Sequence, residues 1–271
     1  MLNHVQTLNV VQESTPEAAD AVAQTTGRRE RNRLARYQSY LDVALRIATD
    51  EGLDAVTMQR LADELDCAVG TVYTYFPSKG ALVAEVQREA IERLSASYLL
   101  LRPEVDALVA GERSDEVAAL THVLAVARFW VDLDKTYPQE ARLLQLLMSA
   151  ADETVPDEDA GRVLPAALRI LDLARERIER ATDVGALSAG DPMERTVTLA
   201  AAVSGVVQLG RLAHWDADLL DGHRLAIALV DDLLTGWGAE LAALGSAHAH
   251  VAKLAKRGPL ARPLHQEGTS R

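Results

Sequence analysis

The chain of 271 residues is long enough for two modest domains, and its 48% apolar and 25% charged residues make an ordinary globular balance. Ala and Leu dominate over β-branched and aromatic residues, which favours helices over sheet. A single cysteine, Cys67, excludes internal disulfides and thiolate metal clusters, no run of about 18 uncharged apolar residues offers a membrane span, and a formal charge of −12 argues at first sight against a nucleic-acid partner.

Residues 1–27 carry three acids and no base, show no sustained period and end in small polar residues, so they read as a flexible leader. They lack the charged-then-apolar layout of a signal peptide, and a cytoplasmic protein is expected. Residues 28–82 hold eight bases against eight acids, but the bases crowd at the start: in RRERNRLAR, Arg28, Arg29, Arg31, Arg33 and Arg36 outnumber Glu30. From there Leu34, Tyr37, Leu41, Ala44, Leu45 and Ala48 recur at steps of three and four and predict a helix that Gly52 stops. Thr57 is a good N-cap for the next helix, with Val56 and Leu61 placed for a hydrophobic staple. That helix, MQRLADEL, spans about two turns and depends on tertiary packing. A third helix follows Cys67-Ala68 and ends at Phe76, because Pro77 disfavours helical geometry in the residue before it. Ser78 can cap a fourth, through Leu82 and Val86 toward Leu94.

Two short helices joined by a tight turn, preceded by a longer helix, have the layout of a helix-turn-helix module. At 100° per residue Val72 and Phe76 share the inner side of the second short helix, Tyr73 and Tyr75 flank it, and Gly70, Thr71 and Thr74 lie opposite. A tyrosine at such a margin can bury its ring and offer its hydroxyl to a phosphate; an ordinary half-buried aromatic is the alternative. Lys79 occupies the first turn of the fourth helix, where a cation loses about 0.3–1 kcal/mol against the helix dipole. A bound phosphate would reverse that sign, and a solvated lysine pointing away is the alternative.

The run AVTMQRLADELDCAVGTVYTYFPSKGALVAEV resembles the DNA-binding module of the TetR family of transcriptional regulators, with Thr57, Leu61, Ala62, Gly70, Thr71, Tyr73, Tyr75, Phe76, Ser78, Lys79 and Leu82 in register. With the preceding helix, the match covers about 50 residues, without a gap. The resemblance implies phosphate contacts from Thr57, Tyr73, Tyr75 and Lys79, and base or sugar contacts from Gln59, Val69, Gly70, Thr71 and Thr74. The arginines before helix one, Arg33 and Arg36 among them, could reach the backbone or minor groove. Three positions depart from the family pattern: Asp66 stands where the turn usually has Gly, Ala68 where the recognition helix usually has a Ser cap, and Ala48 where helix one usually has Phe. Tyr40 is a candidate to fill the space left at Ala48.

The domain boundaries expected are therefore a leader over 1–27, a helix-turn-helix domain over 28–82, an all-α ligand-binding and dimerisation domain over 83–244 and a basic flexible tail over 245–271. Predicted helices lie near 83–100, 115–136, 138–151, 160–183, 191–215 and 221–244, with Pro103 and Gly111 marking one stop. The body holds the acid excess, and residues 253–271 carry five bases and one acid. Residues 197–212 and 225–241 are apolar and rich in small residues, suited to pairing two protomers through Ala201, Gly205, Gly210, Leu229 and Leu233; burial within one subunit is the alternative. Candidate pocket residues are His122, Phe129, Trp130, Tyr137 and Met148, with plain core packing the alternative for each. His214, Asp216, Asp218 and His223 lack a fixed ligand spacing, so no metal or cofactor is expected.

There is no G-x-S-x-G, phosphate loop or H-E-x-x-H, and Cys67 has no partnered base, so no catalytic residue and no enzyme activity are expected. By the family resemblance the chain would be a homodimeric regulator of a palindromic duplex operator, with no membrane partner, most often a repressor released by a small-molecule inducer. Control by protein contacts alone, and activation instead of repression, are the alternatives.

Overall fold

The computed structural model describes the backbone of residues 16–149 and 157–264, and the side chains of 27–144 and 161–264. Every regular element among these is helical. No helix among them is long and apolar enough to cross a membrane.

Helix α1 spans Pro16–Glu51 and begins at a proline, which suits a first helical turn. Residues 16–27 therefore open α1, where the sequence suggested leader; EAADAVAQ consists largely of good helix formers, with no glycine before Gly27. Residues 1–15 lie outside the described residues. Gly52, at φ 97°, ends α1 as expected. A single 3₁₀ turn, Leu53–Ala55, leads to α2, Met58–Glu64, which Thr57 caps by accepting the Arg60 N–H at 3.1 Å. The turn to α3, Val69–Tyr73, passes through Asp66 at φ 46°, the left-handed conformation for which the family uses Gly and which Asp tolerates better than most side chains. Helix α3 stops short of Phe76, although the Phe76 N–H still reaches the Val72 carbonyl at 3.0 Å. Ser78 caps α4, Lys79–Val109, accepting the Ala81 N–H at 3.0 Å. A first core joins these elements around Tyr40, Ile47, Leu61, Val72, Phe76 and Leu82, with Leu143 added from the body.

Helix α4 continues through Pro103, the expected stop, because Leu101 and Val105 on either side of it are both buried in the second core. The body continues with α5 (Asp115–Val131), α6 (Leu133–Thr136), α7 (Pro138–Ser149), α8 (Asp157–Asp183), α9 (Pro192–Leu209), a 3₁₀ turn (Gly210–Leu212), α10 (Gly222–Gly236) and α11 (Leu241–Ala255). The helix expected over 221–244 is two helices: Gly238, at φ 99°, breaks the chain, and Ala239 N–H returns to the Leu234 carbonyl at 2.9 Å.

The basic tail expected over 245–271 is likewise corrected as far as residue 264; residues 265–271 lie outside the described residues. Leu244, Ala247, Val251 and Leu254 are buried along one face of α11 against α5. The chain then lies across the body as a strap, with Leu260 and Ala261 fully buried. Leu260 N–H donates to Asp132 (3.0 Å), Thr136 to the Ala261 carbonyl (2.8 Å), and Ser97 and Tyr137 to the Arg262 carbonyl (2.6 and 2.7 Å). Arg262 reaches back to both Glu104 oxygens, at 3.1 and 3.0 Å. Gly, Pro and His suggested mobility here, but the 3–4 spacing of apolar residues in α11 was present in the sequence.

Candidate nucleic-acid interface

The short helix α3 is held from one side only. Val72 and Phe76 are buried, whereas Gly70, Tyr73 and Thr74 are exposed and Val69 and Thr71 are half-exposed. Ala68 heads the helix with no side-chain cap, and Thr74 turns its hydroxyl to the Thr71 carbonyl at 2.6 Å. Phe76 stacks on Tyr37 (ring centroids 5.2 Å apart) and meets Tyr40 edge-on (6.1 Å), and Tyr75 tilts against Tyr40 at 5.2 Å. This cluster is why the scarce aromatics gather around one element. Tyr40, 1% exposed, shares the core with Ala48, in keeping with the space-filling role expected of it, and its hydroxyl meets the Cys67 sulfur at 3.4 Å. Burial first, then its hydrogen bond to Cys67, lifts the Tyr40 pKa to about 12.

The expected contact residues differ in what the fold already asks of them. Tyr73 is 52% exposed, and its ring enters no aromatic pair among the described residues. Tyr75 is half-buried in the aromatic cluster. Thr57 is exposed but spends its acceptor on the α2 cap, and Gln59 donates to Asp63 at 2.8 Å. Lys79 donates its ammonium to the Asp54 carbonyl at 3.3 Å, which ties the 3₁₀ turn to the start of α4. That bond accounts for a cation in a helix first turn, without requiring an anion. Gly70 is the opposite case. A Cβ built there meets nothing within 4 Å, and Gly70 lies outside the left-handed region, so nothing inside the protein requires glycine. Gly costs about 0.5–1 kcal/mol relative to Ala in a helix.

Two residues that the sequence alone did not single out join this unit to the body. Glu85 on α4 accepts from Tyr37 on α1 and from Arg88, each at 2.8 Å, and lies 3.6 Å from Arg162 on α8. Burial pushes the Glu85 carboxyl up, but the bonds from Arg88 and Tyr37 outweigh it and hold it below its ordinary value. Arg93 spans from the nearly buried Glu140 of α7 (2.9 Å) to Asp42 of α1 (3.6 Å). Such pairs join residues 40–80 positions apart, so no local spacing announces them.

In the body, Phe129 is fully buried core, and Tyr137 is buried with its hydroxyl spent on the strap. His122 lies 3.4 Å from Asp106 and lines neither of the two hollows beside α7. Met148 has its side chain outside the described residues. Trp130 borders a cavity of about 160 Å³, with Leu94, Leu133, Leu144, Ile170 and Val203. A more open groove of about 510 Å³ shares Asp134, Ala141 and Val207 with it. Ala201 and Gly205 are exposed on α9, beside exposed Val197 and Leu209. Leu229 and Leu233 are half-buried on α10. Gly210 serves a contact within the chain: its added Cβ would come 3.5 Å from the Gly222 nitrogen, where α9 and α10 cross.

Residues 41–86 match the model of the family described as bacterial regulatory proteins, tetR family. Over these residues the chain is similar to the DNA-binding module of the TetR family. Over 61 residues, 22% of this chain and 30% of the relative, it is 43% identical to the HTH-type transcriptional repressor KstR of Mycolicibacterium smegmatis. Over 137 residues, 51% of this chain and 59% of the relative, it is 26% identical to the HTH-type transcriptional regulator RutR of Escherichia coli K12. The chain thus spans under two thirds of the length of the curated relatives it matches. The TetR fold extends over the body as well. A TetR transcription regulator from Haloarcula marismortui superposes with a TM-score of 0.53 at 18% identity, covering 75% of this chain and 98% of that one. A TetR-family regulator from Agrobacterium tumefaciens gives 0.51 at 17%, covering 76% and 99%.

Proposed function

We propose that this protein is a homodimeric transcriptional repressor that holds a palindromic duplex operator through α3 and releases it when a small molecule enters the body. The observation that carries the reading is the outward side of α3, where Gly70, Thr71, Tyr73 and Thr74 leave a bare helix face that the protein's own packing does not use. A helix this short, presented by a rigid core and preceded by α2, suits insertion into the major groove, with Tyr73 and Thr57 on the flanking phosphates. The names of the KstR and RutR relatives, both HTH-type transcriptional regulators, support the same reading.

Pairing of two protomers has support in the exposed strip Val197, Ala201, Gly205 and Leu209 on α9, whose small residues allow close approach of a second helix. Ligand control has support in α4, which starts beside α3 at Lys79 and carries Leu94 into the wall of the cavity at Trp130. A ligand that pushes on Leu94 displaces α4, and with it the relative placement of the two reading heads. Direct readout from Val69, Gly70 and Thr71 offers few hydrogen-bond donors, so much of the affinity comes from phosphates.

The test is selection from a random-sequence duplex pool by the full chain, followed by titration of the selected duplex over a range of salt. Tyr73→Ala, at an exposed position that leaves the core intact, weakens binding to a similar degree across the salt range and leaves the salt slope unchanged, because a neutral phenol hydroxyl displaces no counterion. Failure of the wild-type protein to enrich any duplex at low salt overturns the reading.

A further inference from the structure

The open groove beside α7 is lined by charges that the fold has not paired. Asp134 on α6, Arg142 on α7 and Arg211 in the 3₁₀ turn after α9 are exposed, and none forms an ion pair or side-chain hydrogen bond among the described residues. Neighbouring charges on the same stretch of chain are engaged: Asp132 with Arg128 (3.2 Å) and Lys135 (3.0 Å), and Glu140 with Arg93 (2.9 Å). The two other titratable groups of the groove are accounted for within the chain. Asp221 caps α10, accepting the Arg224 N–H at 3.0 Å, and burial, with the Lys135 charge, holds His223 below its ordinary value, so that it is neutral near pH 7.

The unpaired groups stand in a definite order. Asp134 is at the neck, since with Ala141 and Val207 it lines both the groove and the cavity at Trp130. Inward lie Leu94, Trp130, Ile170 and Val203, and Asp134 is the one charge among the described residues that line this chamber. Its volume of about 160 Å³ has room for roughly ten waters, and so for a branched or aromatic side chain. Arg142 and Arg211 line the groove but not the cavity, which puts them outward of the neck. Three surfaces thus diverge from one point: a carboxylate beside it, an apolar chamber inward and guanidinium groups outward.

We infer that the small molecule recognised by the body is an apolar α-amino acid, with its ammonium at Asp134, its carboxylate at Arg142 and Arg211 and its side chain in the cavity at Trp130. This rests on the ligand-control reading above and gives that ligand a chemical class. The α-carbon of an amino acid carries the same three-way divergence as the neck. A guanidinium takes a carboxylate through two parallel N–H···O bonds, and an exposed carboxylate takes an ammonium without a steep desolvation cost. The alternatives each leave a mismatch. A neutral apolar molecule leaves all three charges unused, an apolar acid lays its negative charge past Asp134, and an apolar amine sets its positive charge near two guanidinium groups.

The experiment titrates the full chain by calorimetry with leucine, isoleucine, methionine and phenylalanine. The tightest binder is then compared with its deaminated and decarboxylated counterparts, which for leucine are isocaproate and isoamylamine. Each counterpart binds about tenfold or more weakly, because one charged contact is missing. Asp134→Asn weakens the amino acid about tenfold and leaves the deaminated counterpart undiminished; Arg142→Gln with Arg211→Gln weakens the amino acid similarly and leaves the decarboxylated counterpart undiminished. These positions are exposed, so the free variants melt with the wild type, and the comparison of counterparts on wild-type protein stands whatever their stability. Absence of binding by all four amino acids at millimolar concentration overturns the inference. A counterpart that binds as well as its amino acid overturns it too, as do variants that bind the amino acid undiminished. Release of the selected duplex by a molecule of another class then leaves ligand control standing. An amino acid that binds with the expected pattern yet leaves duplex affinity unchanged overturns release and keeps the class.

Discussion

Replacing Gly70 with alanine separates what the fold needs from what a partner needs. The added methyl meets no atom of the protein within 4 Å, and the backbone there is outside the left-handed region, so the native state admits it without strain. Alanine also loses less chain entropy on folding, which stabilises the helix by about 0.5–1 kcal/mol. For a chain of this size that corresponds to a rise of about 1–4 °C in Tm. If α3 lies in a groove, the same methyl stands where the backbone must approach the duplex, and holding the two apart costs about 1.4 kcal/mol or more, tenfold in Kd. The assays are a thermal melt and a fluorescence-anisotropy titration of the selected duplex. Gly52→Ala is the contrast: at φ 97° any side chain is strained, costing about 1–3 kcal/mol, although Gly52 lies off the reading face. A Gly70→Ala protein with higher Tm and undiminished duplex affinity refutes close approach at this position.

Charge placed on the exposed strip of α9, as Ala201→Glu with Gly205→Glu, leaves the monomer fold intact and yields a monomer in sedimentation, with operator affinity falling because a single head now binds alone. Leu260→Ala, beneath the strap, costs about 2–5 kcal/mol because the site is fully buried, measured as a fall in Tm; a strap that floats free would show none. Acidification destabilises the protein in a defined window. Burial, above all, holds His122 and His223 below the ordinary value of 6.5, so as pH falls below 6.5 the unfolded chain takes up protons that the native state refuses. Stability is therefore level above that pH and declines beneath it, and His122→Asn with His223→Asn flattens the curve of Tm against pH. Asp132 and Glu85, held low, keep their contribution until pH falls below their ordinary values of 3.8 and 4.5.

Local chemistry wrote the helix-turn-helix unit into the sequence. Thr57 and Ser78 cap because their hydroxyls reach N–H groups three residues on, Gly52 stops α1 because it alone takes φ 97° cheaply, and Val72 and Phe76 share a side by helical period. Asp66 in the left-handed turn and the uncapped Ala68 were legible for the same reason: each is decided within a few residues. Lys79 was not, since its partner is a carbonyl 25 residues earlier in the chain. The body was legible as helices but not as a site. Whether Phe129 lines a cavity or fills a core, and whether Gly210 meets a second protomer or Gly222, depends on which helices are brought together. The fate of residues 256–264 depended on it too: the strap is held where Asp132 accepts from Leu260 N–H, Thr136 donates to the Ala261 carbonyl and Tyr137 accepts from Leu264 N–H, each partner lying 120 or more positions away. Periodicity and capping act over one or two turns and belong to the sequence. Cavities, ion-pair bridges and docked ends are long-range, and only the assembled fold decides them.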